Sequence, residues 1–137
     1  TNLGKKTLMK TLPLLFENKL ISKKQDESKV TYANKFMSED RKINFYNSSD
    51  DVLNHIRAHG PKPGSWFIYK GERIKIIKAN KINKSGESST ILNKDFMIAC
   101  KDGAILPMIL QREGKKVVSL NDFVRGFTFS IYDKLNA

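Results

Sequence analysis

The run Gly60-Pro61-Lys62-Pro63-Gly64-Ser65-Trp66-Phe67-Ile68-Tyr69-Lys70-Gly71-Glu72-Arg73-Ile74-Lys75-Ile76-Ile77-Lys78-Ala79-Asn80-Lys81-Ile82 reads as a β-hairpin. Pro61, Pro63 and Gly64 fix the approach of the chain, Trp66, Phe67 and Tyr69 supply strand propensity and bulk, and Lys70-Gly71-Glu72 supplies the turn. On the return strand cationic Arg73 and Lys75 alternate with apolar Ile74 and Ile76, which at a period of two puts charge on one face and core on the other. At Ile76-Ile77 the alternation slips by one residue, as at a bulge that bends and twists a strand. Beyond the slip Lys78 and Asn80 resume a polar face, so a small barrel with a cationic surface is expected. Trp66, Phe67, Ile74 and Ile76 are the side chains expected to fill it.

Around this hairpin, 137 residues suffice for one domain with a buried core. Lys and Arg number 25 against 14 Asp and Glu, a net charge of +11 that favours a polyanionic partner, nucleic acid first. The lone Cys100 cannot form an internal disulfide, and no apolar run is long enough for a membrane span. A cytoplasmic setting is therefore expected.

Upstream, residues 1–21 place Leu8, Leu12 and Leu15 on a helical stripe beside Met9 and Phe16. Pro13 predicts a kink there, or a helix whose first turn starts near Leu12. Residues 22–47 are polar and charged and read as a linker, which Val30, Tyr32, Phe36, Ile43 and Phe45 could pin down as an ordered strap. Ser48 then caps a short helix whose first turn carries Asp50 and Asp51 and which ends near Gly60. Downstream of a loop at 83–89, Thr90-Ile91-Leu92 begins a strand, and the segments Phe96–Cys100 and Ala104–Leu106 form a second hairpin around Asp102-Gly103. Pro107 marks a bulge or an edge. Gln111–Lys116 is a turn, Ser119 caps a helix through Phe123, and Phe127, Phe129 and Tyr132 in the tail are expected to pack back on the body. The expected fold is mainly β: a small, open, OB-like barrel with short helices, preceded by a helix and an extended linker.

The order of these features resembles the linker and carboxyl-terminal domain of methionyl-tRNA formyltransferases. The similar positions are Gln25-Asp26-Glu27, Val30-Thr31-Tyr32-Ala33, Lys35, Ile43, Ile56-Arg57-Ala58 and Pro61-Lys62-Pro63-Gly64, then Gly71 and the Arg73–Ala79 strand. Gly86, Thr90-Ile91-Leu92, Ala99-Cys100, Asp102-Gly103 and Leu110–Lys116 follow in the same order, so the resemblance covers almost the whole chain. Pro13 and His59 depart from it. The resemblance implies a parent enzyme that moves a formyl group from 10-formyltetrahydrofolate to the amino group of methionyl initiator tRNA. It also implies an amino-terminal catalytic domain with an Asn, a His and an Asp, whose motifs this chain does not contain. Residues 1–21 are then expected to be the last helix of that domain, 22–47 the linker and 48–137 the tRNA-binding domain. The chain alone is expected to be an inactive monomer that binds no cofactor. The same module occurs in sugar-nucleotide formyltransferases and formyltetrahydrofolate dehydrogenases, and a free-standing OB-type nucleic-acid binder is a further reading. The cationic hairpin disfavours the former, and an uncovered Leu8/Leu12/Leu15 stripe the latter.

The tRNA-contacting candidates are Arg73, Lys75, Lys78, Lys81 and Lys84, with Lys115, Lys116, Arg41 and Lys42 as further members. A solvated face would hold near neutrality, whereas Val52–Lys94 carries nine Lys or Arg against Glu72 and Glu87 alone. Trp66, Phe67 and Tyr69 suit core packing better than base stacking. His55 and His59 have the spacing of a zinc motif but neither its glutamate nor a third ligand, so no metal is expected. No catalytic residue is expected either: Cys100 reads as a buried strand residue, and Asp50-Asp51 as helix capping.

Overall fold

A computed structural model describes residues 2–136, so Thr1 and Ala137, the ends of the predicted first helix and of the predicted tail, lie outside the described residues. The described chain falls into two compact units, one up to Asn34 and one from Lys35 onward.

In the first unit, α1 spans Asn2–Phe16 and includes Pro13. Of the two outcomes Pro13 predicted, a helix whose first turn starts near Leu12 is therefore not what forms. A proline removes only its own donor, and the helix needs just one more turn beyond it, in which Glu17 N–H donates to the Pro13 carbonyl at 3.1 Å. It stops short of residue 21 because Asn18 turns left-handed at φ 54°. Asn18 N–H then reaches Leu15 O at 3.1 Å and Lys19 N–H reaches Leu14 O at 2.9 Å, the pair of bonds of a Schellman cap.

The second unit is a curled antiparallel sheet with two helices packed on it. α2 spans Ser49–His59, followed by β1 (Ser65–Tyr69), β2 (Glu72–Ile82), β3 (Ile98–Cys100), β4 (Gly103–Arg112), β5 (Val117–Ser119) and α3 (Leu120–Gly126). β1 pairs with β2, β2 with β4, and both β3 and β5 with the far side of β4. The sheet does not close into a barrel, and with α1, α2 and α3 the chain is mixed α/β where a mainly β, open OB-like barrel was expected. The physical reason lies at the outer edge of β1. That edge is satisfied by irregular chain, with Ile43 N–H donating to Trp66 O at 2.7 Å and Asn136 N–H to Ile68 O at 2.8 Å, so no strand is left to pair there.

The local signals in the sequence hold where they rest on short-range chemistry. Lys70 and Gly71 both have positive φ, 48° and 79°, and form a two-residue turn matched to the twist of the strands, so Glu72 already belongs to β2. The register of β2 on β4 skips Ile77, as the slip predicted, and skips Met108 beside Pro107. Pro107 falls in the gap along β4 between Ile105, the last residue paired with β3, and Ile109, the first paired with β5. Ser48 Oγ accepts from Asp51 N–H at 3.0 Å, and Ser119 Oγ accepts from Asp122 N–H at 3.2 Å, so both predicted caps form.

Three expectations change. The second hairpin turns on Lys101-Asp102, because Cys100 pairs directly with Gly103. Thr90–Leu92 makes isolated bridges, Thr90 to Lys134 and Ile91 to Ile98, and no strand. In the tail Phe127 and Phe129 pack on the core, but Tyr132 is exposed.

Between sheet and helices lie Phe67, Ile74, Ile76, Phe96, Ile98, Ile105 and Leu110, with Val52 and Ile56 of α2 and Phe123 of α3. From the strap, Ile43 and Phe45 join this core as expected, whereas Tyr32 and Phe36 are exposed. Gly60 lets the end of α2 approach the bulge of β2: a Cβ there would lie 3.0 Å from Ile56 O and 3.2 Å from Ile77 O. No described helix is long and apolar enough to cross a membrane.

Candidate nucleic-acid interface

The outer face of β2 starts from its alternation. With Ile74 and Ile76 fully buried inward, Arg73 and Lys75 must point outward. The same parity governs β1, and there it overturns an expectation. Phe67 and Tyr69 face the core, so Trp66 emerges on the opposite face, paired in register with Lys75. It stands outside the main core cluster yet is buried, only 3% exposed, with cations against its ring. The Arg73 guanidinium lies 4.1 Å from its ring centroid and Lys42 Nζ 5.9 Å away. Its indole Nε1–H donates to Ser38 O at 3.1 Å, which ties the strap, and with it the turn Glu39–Arg41, to the sheet. Covered in this way, Trp66 has no free face for a base.

Around Trp66 the structure forms a cleft of about 180 Å³ lined by Arg41, Arg73, Lys75, Gln111, Arg112 and Glu113. Arg112 is the member that the sequence reading missed, although Gln111-Arg112 stands within the quoted run Leu110–Lys116. It makes a bidentate pair with Glu72, Nε to Oε1 at 2.7 Å and Nη2 to Oε2 at 2.8 Å. This pair holds the Glu72 carboxyl below its usual value and the Arg112 guanidinium above its own, the hydrogen bond between them being the main cause in both. By contrast Arg41, Lys42, Arg73 and Lys75 form no ion pair among the described residues, which leaves their charge available to an anion.

The remaining candidates lie apart from this cleft. Lys78 stands beyond the bulge, beside a second groove with Arg57. Lys81 Nζ is 2.7 Å from Asp50 Oδ2, a hydrogen bond that raises the lysine pKa and occupies its charge. Lys84 is exposed just after β2. Lys115 and Lys116 are exposed on the β4–β5 turn and line a separate depression with Arg112 and Phe127. The structure thus gathers Arg41, Arg73 and Lys75, with Lys42 over Trp66, and leaves Lys81 and Lys84 outside.

The other titratable residues that the sequence singled out do not line this cleft. Burial pushes the Cys100 thiol up to about 12, so it stays protonated. Asp51 accepts from Ser48 Oγ at 2.7 Å as part of the α2 cap, and Asp102 Oδ1 accepts from Ser49 N–H at 2.8 Å, which keeps the Asp102 carboxyl low. His59 Nδ1 lies 3.0 Å from His55 O.

The Glu72–Arg112 pair carries a pH prediction. A carboxyl depressed in the folded state contributes stability that is present above its unfolded value, near 4.5, and is lost as pH falls through the folded value. The melting-temperature gap between the wild type and Glu72→Gln should therefore be widest at neutral pH and should close below that value. A gap that stays constant from pH 7 to pH 3 would refute the assignment.

Comparison with known proteins places this geometry. Residues 35–128 match the family described as Formyl transferase, C-terminal domain. The chain is 35% identical to the methionyl-tRNA formyltransferase of Pelagibacter ubique over 125 residues, covering 90% of this chain and 40% of that protein. It is also 35% identical to the Rickettsia bellii enzyme of the same name over 136 residues, covering 98% of this chain and 44% of the relative. The chain thus spans less than half the length of these curated relatives. Among solved structures, HypX from Aquifex aeolicus in complex with tetrahydrofolic acid superposes with a TM-score of 0.63 at 16% identity, covering 95% of this chain and 26% of that one, which shows a shared fold. From the match over residues 35–128, the chain belongs to the family of formyl transferase C-terminal domains.

Proposed function

We propose that this chain is the tRNA-holding part of a methionyl-tRNA formyltransferase, in which residues 1–21 are the last helix of an amino-terminal catalytic domain, 22–47 the linker and 48–137 the tRNA-binding domain. The parent enzyme would transfer the formyl group of 10-formyltetrahydrofolate to the amino group of methionyl initiator tRNA. In this reading the folate and the chemistry belong to the other domain, and the part described here binds no cofactor. The setting is the cytoplasm and the chain a monomer.

The observation that carries the reading is the convergence of Arg41, Arg73 and Lys75 on one cleft around Trp66, with Arg112 tied to Glu72 and Glu113 the one carboxylate besides. Phosphates are the natural occupants of such a cleft, and the names of the relatives supply the kind of polyanion. Phosphate contacts fix register and orientation without reading bases. Their contribution to the reaction is therefore positional: an acceptor end held in place meets the formyl donor without the entropic cost of a chance encounter.

Titration with initiator tRNA across a salt series tests this. Four phosphates neutralised by Arg41, Lys42, Arg73 and Lys75 predict a slope of log affinity on log salt of roughly −3. A flat dependence, or no binding at low salt, would overturn the proposal.

A further inference from the structure

One feature of β2 does not suit a surface built for phosphates alone. Beyond the slip Ile77 and Ala79 stand opposite to the exposed Lys78 and Asn80, and the bulge leaves Ile77 unpaired to β4. It does not join the core cluster. With Leu53 and Ile56 of α2 and Ala79 it lines an apolar groove of about 290 Å³ whose rim is Arg57 and Lys78. No carboxylate lines this groove, and neither cation is in an ion pair among the described residues. The Arg57 guanidinium is held by a hydrogen bond from Nη2 to Asn54 Oδ1 at 2.8 Å, which steadies it without neutralising it. The close approach at Gly60 sets α2 against the Ile77 carbonyl and so holds the two walls of the groove together.

We propose that this groove seats one unstacked base of a single-stranded RNA segment, its flat face on Ile77, Leu53 and Ala79 and its flanking phosphates on Arg57 and Lys78. The inference rests on the RNA-binding reading above and adds a substrate class to it. Duplex stems offer phosphates but bury their bases, whereas single-stranded loops and ends present both together. An apolar floor rimmed by two unneutralised cations complements that combination. A fatty acyl chain or an apolar peptide would use the floor but leave one or both rim charges without a partner.

The full chain should be titrated at low salt with three probes: a hexameric single-stranded RNA, the same sugar–phosphate backbone without bases, and a short RNA duplex. The hexamer should bind about fivefold more tightly than the abasic backbone, the worth of burying roughly 40 Å² of apolar base surface on an aliphatic floor. Ile77→Ser should bring that ratio to about one and leave duplex affinity unchanged, which also reports that the variant is folded. Arg57→Gln/Lys78→Gln, with both changes on the surface, should weaken hexamer and abasic backbone alike. Equal binding of hexamer and abasic backbone by the wild type, with the duplex still bound, would overturn the base seat and leave the phosphate cleft standing. A base preference that survives Ile77→Ser would place the base elsewhere and overturn the proposal too. Failure of all three probes to bind would remove the RNA reading and this inference with it.

Discussion

Reversing two charges, as Arg73→Glu/Lys75→Glu, should lower affinity for initiator tRNA by at least about 100-fold near 0.1 M salt and make the salt slope shallower by about 2. Both side chains leave β2 on its outer face and line the same cleft, and neither is held by a carboxylate among the described residues. Each reversal removes a phosphate partner and sets a like charge beside the RNA backbone, so the loss exceeds that of neutralisation. Arg73 also covers the Trp66 ring, and its replacement has a structural cost of about 0.5–1 kcal/mol. Lys75→Glu alone separates the two effects, because Lys75 has no such aromatic contact. It should keep the wild-type melting temperature while losing about tenfold in affinity and about one unit of slope. Equal affinities for the wild type and the double variant would mean that the RNA lies elsewhere. Lys81→Glu is the contrast: Lys81 is already paired with Asp50, so its effect on tRNA should be small.

What could be read from the sequence divides along the range of the interactions involved. The alternation of β2, its slip at Ile77 and the caps at Ser48 and Ser119 depend on residues within three or four positions, and the chain spells them out. The partners that decide which cations are free do not. Lys81 meets Asp50 across 31 residues and Arg112 meets Glu72 across 40, and no local pattern announces either. The edge of β1 was illegible for a related reason: it is satisfied by Ile43 and Asn136, which stand in segments without strand periodicity. Trp66 is a different case, because its position was legible. Phe67 and Tyr69 commit one face of a five-residue strand to the core, and Trp66, one residue before Phe67, must point the other way. Reading Trp66 by residue type instead of by parity placed it in the core.

That position makes Trp66→Ala the substitution with the largest expected effect on folding. The indole is buried beneath Arg73 and Lys42, and its removal leaves a cavity floored by the sheet and roofed by cations, at a cost of about 3–5 kcal/mol. In a domain of this size that is a fall in melting temperature of at least about 10 °C. The loss should also reach the cleft by way of the strap. Trp66 Nε1–H fixes Ser38 O, and Ser38 opens the turn Glu39–Arg41 that delivers Arg41 to the same cleft. Trp66→Phe isolates this second effect. It keeps a ring under the Arg73 guanidinium and loses the hydrogen bond, for about 1 kcal/mol, together with part of the buried indole volume. Its tRNA affinity should nevertheless fall several-fold, since Arg41 is no longer held against the sheet. Thermal denaturation and tRNA titration of the two variants decide the matter together. An alanine variant as stable as the wild type would show that the indole is not the platform of the cleft. A phenylalanine variant with full affinity would show that Arg41 takes no part in holding RNA.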